Sequence, residues 1–451
     1  MPNGDLNERL RVDGKFFRSG HQRVWIRAVT YGPFPGGWPN SFEADFQRIS
    51  AANFNVIRLF EIPNKKLLDC AARYGLRVFG GLKWGQHADF FRSPGLYSSA
   101  RVQLVNSLKE LANHPALAGV YVGNEIPADL ARWMGPLRVR QAIEELIALG
   151  RKVASHLLFA YANYPSTEYL EPEDADFSAF NVYLEDPENF RKYLKRLHHI
   201  AGDRPLVISE FGMDSQRNGL DRQKEVLAWA CEIADEEETA GLTVYAWSDR
   251  WWNHGAEVMD WDFGLINRNG DGKPALKALQ DFQLTSHPST LDFSVIVCTR
   301  NGRDRIGKCL NAVRIMEGQN HEVIVVDDGS DDGTADHVAK QFPEVRLLRL
   351  TACGLSAARN AGAAFATGQI LAFTDDDCEP DRQWLVRLER VFRDGIFAAA
   401  GGPNLPPKPR DWQQAVVCAA PGAPSHVMLN DEEAEHLPGC NLAVTKIAFD
   451  A

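Results

Sequence analysis

Two glutamates and one acidic triplet stand where this chain could do chemistry. Glu210 closes the apolar run Leu206-Val-Ile-Ser and is followed by Phe211-Gly212. Glu125 closes a second run, Ala118-Gly-Val-Tyr-Val-Gly-Asn124, and the triplet Asp375-Asp376-Asp377 closes a third at 369–374. Short continuous apolar runs mark parallel strands buried on both faces, and reactive groups collect at the C-terminal ends of such strands. Two carboxyl groups brought together there cannot both ionise easily, so one keeps its proton near neutral pH. An acid facing a carboxylate is the pairing that breaks a glycosidic bond through an oxocarbenium-like state, the acid protonating the leaving oxygen.

The elements that must position Glu125 and Glu210 follow from the pattern around them. Strands are predicted at 24–31, 55–61, 76–82, 118–124, 157–163, 177–183, 206–210 and 242–247. Amphipathic segments at 43–52, 65–74, 101–113, 138–153 and 221–236 read as helices between them. Eight strand–helix alternations over about 260 residues are the size of a (β/α)8 TIM barrel, with an open doubly wound sheet as the alternative. Polar or aromatic residues close most of the runs: Arg58, Lys83, Trp84, Asn124, Glu125, Asn163, Tyr183, Glu210 and Trp247. A closed ring with one active face would bring them to a single mouth.

These words resemble the retaining β-glycosidases with (β/α)8 barrels, and most closely the catalytic barrel of family 2 glycoside hydrolases. The matching segments are Asn55-Val-Ile-Arg58-Leu59, His114-Pro115, Gly123-Asn124-Glu125, Pro205-Leu-Val-Ile-Ser-Glu210-Phe-Gly and Asp271-Gly-Lys-Pro274. They cover about residues 15 to 285. The resemblance implies Glu125 as acid/base and Glu210 as nucleophile, with no cofactor. Arg58 would keep Glu210 ionised, Tyr183 would donate to it, and Asn124 would hold the sugar 2-hydroxyl. Asn163 is a further candidate, and Trp247 would floor the subsite. Tryptophans are dense near this mouth (Trp38, Trp84, Trp247, Trp251, Trp252 and Trp261), and indole rings stack on the C–H faces of sugars. Trp84, and above all Trp251-Trp252 after the eighth strand, are the expected platforms. The β-sandwich domains that usually flank such barrels have no counterpart here, so the family's substrate does not carry over.

A change to Ser, Thr and Pro marks a boundary: barrel at 1–285, linker at 286–292, second domain at 293–451. Strand, helix and strand are predicted at 294–299, 305–316 and 322–327, and a later strand at 369–374. Acidic residues at the ends of parallel strands gather in the crevice where open α/β sheets bind ligands. The segments Ser294-Val-Ile-Val-Cys-Thr299-Arg-Asn301, Val326-Asp-Asp-Gly-Ser330, Leu355-Ser-Ala-Ala-Arg-Asn360-Ala-Gly and Phe373-Thr-Asp-Asp-Asp377 occur in the order seen in family 2 glycosyltransferases. That resemblance implies a Rossmann-like GT-A fold binding a nucleotide-sugar. Asp328 would touch the base, Arg359 the base or phosphates, and Asp375 the ribose. Asp377 would hold Mg²⁺ or Mn²⁺, ions suited to hard oxygen ligands. The segment Pro438 to Ala451 resembles the stretch just before the family's Glu-Asp base, so the domain is expected to be C-terminally truncated and catalytically incomplete.

Composition narrows the partners. The 451 residues carry a net charge of −11 with no Lys/Arg-rich run, which argues against nucleic acid. Eight cysteines without C-x-x-C spacing argue against a zinc site or disulfide framework and favour a reducing, cytoplasmic setting, with the full-length protein at the inner face of the membrane as an option. No apolar run reaches membrane-spanning length. The expected activity is a retaining β-glycoside hydrolase or transglycosylase acting on a β-glucan-like carbohydrate, fused to a nucleotide-sugar transferase domain. The alternatives are a metal-dependent glycosyltransferase with an accessory barrel, or a barrel that binds carbohydrate without cleaving it.

Overall fold

The apolar runs pair edge to edge as parallel strands: β1 (Ile26–Thr30), β2 (Val56–Arg58), β3 (Arg77–Gly81), β4 (Leu117–Asn124), β5 (Leu158–Asn163), β6 (Ser178–Asn181), β7 (Leu206–Phe211) and β8 (Gly241–Val244). They close into a barrel in chain order, β8 pairing with β1. This computed structural model describes residue 6 and residues 8–253, 255–284, 291–316, 321–393, 395–402, 404, 412–413, 427–428 and 433–451. The chain divides into two units, Met1–Thr285 and Ser286–Ala451. Residues 286–290 of the expected linker lie outside the described residues.

Inside the barrel, small residues make room for large rings. Ala28, Ala118, Ala160, Ala162 and Ala179 are buried beside Phe79, Tyr121 and Phe177, whose ring centroids lie 5.6–5.8 Å apart. Gly119 has no room for a side chain, because a Cβ would stand 2.3 Å from the Leu158 carbonyl oxygen and 2.7 Å from the Phe79 ring. A three-stranded antiparallel sheet (Leu10–Asp13, Phe16–Ser19, Gln22–Val24), which the strand–helix pattern does not anticipate, precedes β1. Its Phe17 meets Phe177 edge-on at 5.4 Å, just before β6 begins, and so stops the N-terminal end of the barrel. Only the C-terminal end is left to hold a ligand.

The outer helices bury apolar stripes against the strands and begin at capping residues. Asn64 caps Lys65–Arg73 by accepting from the Leu67 N–H, and Asp186 caps Pro187–Ala201 through the Asn189 N–H. Several predicted boundaries move: the second strand ends at Arg58 rather than at 61, and the sixth at Asn181 rather than at 183. The last strand ends at Val244 rather than at 247, and the chain turns so that the Trp247 N–H bonds the Thr30 carbonyl at 2.9 Å.

The second unit is a six-stranded sheet of β9 (Phe293–Thr299), β10 (His321–Asp328), β11 (Arg346–Leu350), β12 (Ile370–Asp375), β13 (Ala399–Gly401) and β14 (Leu442–Thr445). Its order is β11-β10-β9-β12-β14-β13, with the first four parallel and β14 antiparallel to both neighbours. Strand order reverses between β9 and β12, so a crevice opens beyond their C-terminal ends. The helix Leu355–Phe365 lies close on the sheet at Gly362, where a Cβ would stand 2.6 Å from Ile296. Among the described residues no helix is long and apolar enough to cross a membrane.

Candidate active site

Arg58, Asn124, Glu125, Tyr183 and Glu210, spread over 150 positions of sequence, meet at the open end of the barrel. Arg58 ends β2 and is 2% exposed. Its Nη1 donates to Glu210 Oε1 at 2.5 Å and to the Ser209 carbonyl at 2.7 Å, while Nη2 donates to Asn124 Oδ1 at 2.7 Å. Burial works to lower the pKa of this guanidinium; the Glu210 carboxylate outweighs that and raises it above the ordinary arginine value. The Tyr183 hydroxyl donates to the other oxygen, Glu210 Oε2, at 2.8 Å. Burial, then the Glu210 charge, push the Tyr183 ionisation well above the ordinary tyrosine value, so the hydroxyl stays a donor.

Glu125 reaches the same spot by a bend. Its backbone has φ +49°, in the left-handed region uncommon for any residue but glycine, while its N–H still bonds the Ala162 carbonyl at 2.9 Å. Gln86 holds the preceding Asn124 from both sides, its Nε2 donating to the Asn124 carbonyl at 2.8 Å and its Oε1 accepting from the Asn124 N–H at 2.9 Å. Burial first, and the nearby Glu210 charge second, push the Glu125 carboxyl up to about 7; the Asn181 hydrogen bond and Arg58 pull the other way. The pair is therefore differentiated: Glu210 sits in a socket of donors, and Glu125 keeps its proton to near neutrality.

Asn181, absent from the sequence candidates, joins the two. Its Nδ2 lies 2.9 Å from Glu125 Oε1, 2.9 Å from Glu210 Oε1 and 3.1 Å from Asn124 Oδ1, and its Oδ1 accepts from Ser209 Oγ at 2.7 Å. Two oxygens each 2.9 Å from one nitrogen cannot stand farther apart than twice that distance. A signal for it was present: Asn181 is two residues before Tyr183 within the predicted strand 177–183, and period-two alternation puts both on the same face of that run.

Other expected site residues are placed elsewhere. Asn163 is wholly buried, and its Oδ1 accepts from the Tyr164 N–H and Thr167 Oγ1, pinning the turn after β5 rather than facing a ligand. Trp247 is also wholly buried, because the chain has already turned at Tyr245, so it cannot floor an open subsite; Arg48 lies 5.6 Å from its ring. Trp84 is wedged between Phe90 and Tyr97 and donates to the Val122 carbonyl, which makes it a brace for the loop after β3. Trp251 packs under Tyr245 and Phe60 and is 8% exposed, whereas Trp252 beside it is 38% exposed and is the freer platform of the two.

In the second unit the acidic strand ends sort by their partners. Asp328, closing β10, accepts from the Cys353 and Gly354 N–H groups at 2.7 and 2.9 Å, bonds that hold its carboxyl below the ordinary range, the Cys353 one foremost. It therefore shapes the turn that starts the helix Leu355–Phe365. Arg359 on that helix donates to Asp375 at 2.8 Å, and a Cβ on Gly439 would stand 2.8 Å from the Arg359 guanidinium. Asp376 is buried, bonded by Thr299 Oγ1 at 2.5 Å and Arg305 Nε at 2.8 Å. Asp377 is exposed, and the Cys378 thiol lies 3.7 Å from its Oδ1. Among the described residues no three metal-ligating side chains cluster. Mg²⁺ is commonly held by one or two carboxylates together with substrate phosphates, and an exposed strand-end aspartate suits that arrangement.

Comparison with known proteins agrees with this division. Residues 294–412 match the family model Glycosyl transferase family 2. Glycosyltransferase AglE of Haloferax volcanii is 45% identical over 122 residues, which are 25% of this chain and 40% of that protein. The solved β-glucuronidase of Ruminococcus gnavus in complex with uronic deoxynojirimycin is similar with a TM-score of 0.53 at 17% identity, covering 61% of this chain and 52% of that one. The GH2 β-galacturonidase of Eisenbergiella tayi bound to galacturonate gives 0.50 at 16%, covering 61% and 54%. Identities this low speak for fold alone. The chain thus spans less than half of AglE and about half of each solved hydrolase. It joins a TIM barrel of the same fold as those hydrolases to a region, residues 294–412, that matches the family 2 glycosyltransferase model.

Proposed function

We propose that the barrel is a retaining β-glycoside hydrolase or transglycosylase. The observation that carries this reading is the single Asn181 amide shared by one oxygen of Glu125 and one of Glu210. Retaining enzymes hold their carboxyl groups about 5–5.5 Å apart, while inverting ones need about 6.5–9.5 Å to admit a water; the shared donor, 2.9 Å from each, keeps these two oxygens closer together than inversion requires. Glu210, ionised against Arg58, attacks the anomeric carbon; Glu125, protonated to about 7, delivers its proton to the leaving oxygen. Glu125, then a carboxylate, takes a proton from the water or sugar hydroxyl that releases the glycosyl group from Glu210.

A β-glucan-like polymer is the substrate class we favour, with the barrel trimming or rearranging what a transferase half builds. In that half Asp328, Arg359 and Asp375 would line the nucleotide-sugar crevice, and Asp377 would hold Mg²⁺ or Mn²⁺, which neutralises charge on the departing diphosphate when bound. A cytoplasmic location belongs to the same reading. The decisive experiment is Glu210→Ala assayed on aryl β-glycosides: turnover is expected to vanish, and azide is expected to restore it with an inverted glycosyl azide as product. Undiminished turnover in that variant would refute the assignment.

A further inference from the structure

The loops after β1 and β8 enclose a second cleft of about 460 Å³. Phe34, Trp38 and Asn40 line it from one side, and Arg250, Asn267 and Asn269 from the other. Its walls are fixed in advance. The Trp252 N–H bonds the Pro33 carbonyl at 3.0 Å, Arg48 Nη1 bonds the Gly270 carbonyl at 2.7 Å, and the buried Lys273 bonds Asp249 at 2.7 Å, anchoring the start of the β8 loop. One face of the Trp38 indole lies parallel to Tyr31, at 6.3 Å and 8°, which sets the ring as a firm wall. Beside it Gly36 and Gly37 (φ +79° and +87°) leave an open rim, with no atom within 4 Å of where a Cβ would be. Three polar side chains have donors to spare. Among the described residues the amides of Asn40 and Asn269 make no hydrogen bond, and the Arg250 guanidinium has only Glu257, 3.5 Å from its Nε.

An indole wall facing amide and guanidinium donors is complementary to a pyranose ring, which has an apolar C–H face and a belt of hydroxyls. Barrel order says where such a ring would belong. Glu125 extends from β4, and β8 lies four strands away around an eight-stranded ring, so the cleft is on the side opposite the acid. The leaving group must lie toward the acid that protonates it; the glycone end of a chain therefore runs the other way, past Glu210 on β7 toward β8 and β1. We propose that this cleft is a glycone-side subsite holding a second sugar ring of the same chain, which makes the barrel select oligosaccharides over simple glycosides. The proposal rests on the glycosidase reading for its direction, but not for its binding.

The test compares 4-nitrophenyl β-glucoside with the 4-nitrophenyl β-glycosides of cellobiose, laminaribiose, sophorose and gentiobiose. At least one disaccharide is expected to exceed the monosaccharide about tenfold in kcat/KM. Trp38→Ala, and independently the surface double change Arg250→Ala with Asn269→Ala, should bring that ratio close to one. The surface pair guards against loss of folding in the tryptophan variant. A second arm measures binding of the four free disaccharides to Glu210→Gln protein by calorimetry, with and without the same changes, which should weaken the best ligand at least fivefold. Failure of every disaccharide to bind, or a binding and kcat/KM ratio indifferent to both variants, would overturn the subsite. Turnover undiminished in Glu210→Ala would instead overturn the glycosidase reading, and the calorimetric arm would still judge the cleft.

Discussion

Replacing Asn181 by alanine removes the side chain that, among the described residues, hydrogen-bonds both carboxyl groups. Its Nδ2 donates toward Glu125 Oε1 and Glu210 Oε1, each at 2.9 Å. Hydrogen bonds to charged groups contribute about 1.5–3 kcal/mol, and each 1.4 kcal/mol is a decade in rate, so kcat/KM on an aryl β-glycoside should fall by about 10- to 150-fold. The pH dependence carries a second signature. The Asn181 bond is one of the influences that lower the Glu125 carboxyl, so without it the proton is held to higher pH. Because a general acid works only while protonated, the alkaline limb of the kcat/KM profile should move upward from near 7, and the penalty should be smaller at pH 8 than at pH 6. Ser209 Oγ loses its acceptor in the same variant, so a thermal melt must accompany the kinetics to show that the barrel persists. A profile whose alkaline limb stays in place or moves down, or a kcat/KM within twofold of the parent, would refute the claim that this amide sets the state of the pair.

Four further outcomes follow from the same contacts. Arg58→Met leaves the Glu210 carboxylate buried without its cation and should cost about 3–5 kcal/mol of stability, read as a lowered denaturant midpoint. Glu125→Gln should abolish the acid step yet stabilise the protein at high pH. The wild-type carboxyl, raised from its ordinary 4.5 to about 7, contributes favourably below 4.5 and loses that as pH climbs through 7, so the gain at pH 8 over pH 4 is up to about 3 kcal/mol in urea unfolding. Gly119→Ala forces a Cβ onto the Leu158 carbonyl and Phe79 ring and should destabilise the barrel by about 1–3 kcal/mol in the same assay. Asp328→Asn weakens the hold on the Cys353 and Gly354 N–H groups, and faster amide hydrogen exchange at those two positions is the expected readout.

Much of this molecule was legible in its residues because the signals are local. A strand buried on both faces must be apolar throughout, so 118–124 and 206–210 announced themselves; the first is followed by Glu125 and the second ends in Glu210, the two acidic residues that the fold carries to the mouth. Period-two alternation also contained Asn181, although nothing in one sequence says that a strand-end asparagine faces two acids rather than a turn. Asn163 shows the converse: with the same residue type at a strand end, its amide fastens the following turn. Trp247 failed as a platform because the chain leaves the ladder at Tyr245, a bend set by packing against β1 and the loop near Ile266. What the sequence alone determined was which residues end buried strands and which chemistry their types allow. Only the closed ring decided which of them face one another and how far apart, because barrel closure, unlike strand formation, is settled by contacts between segments that may be 150 residues apart.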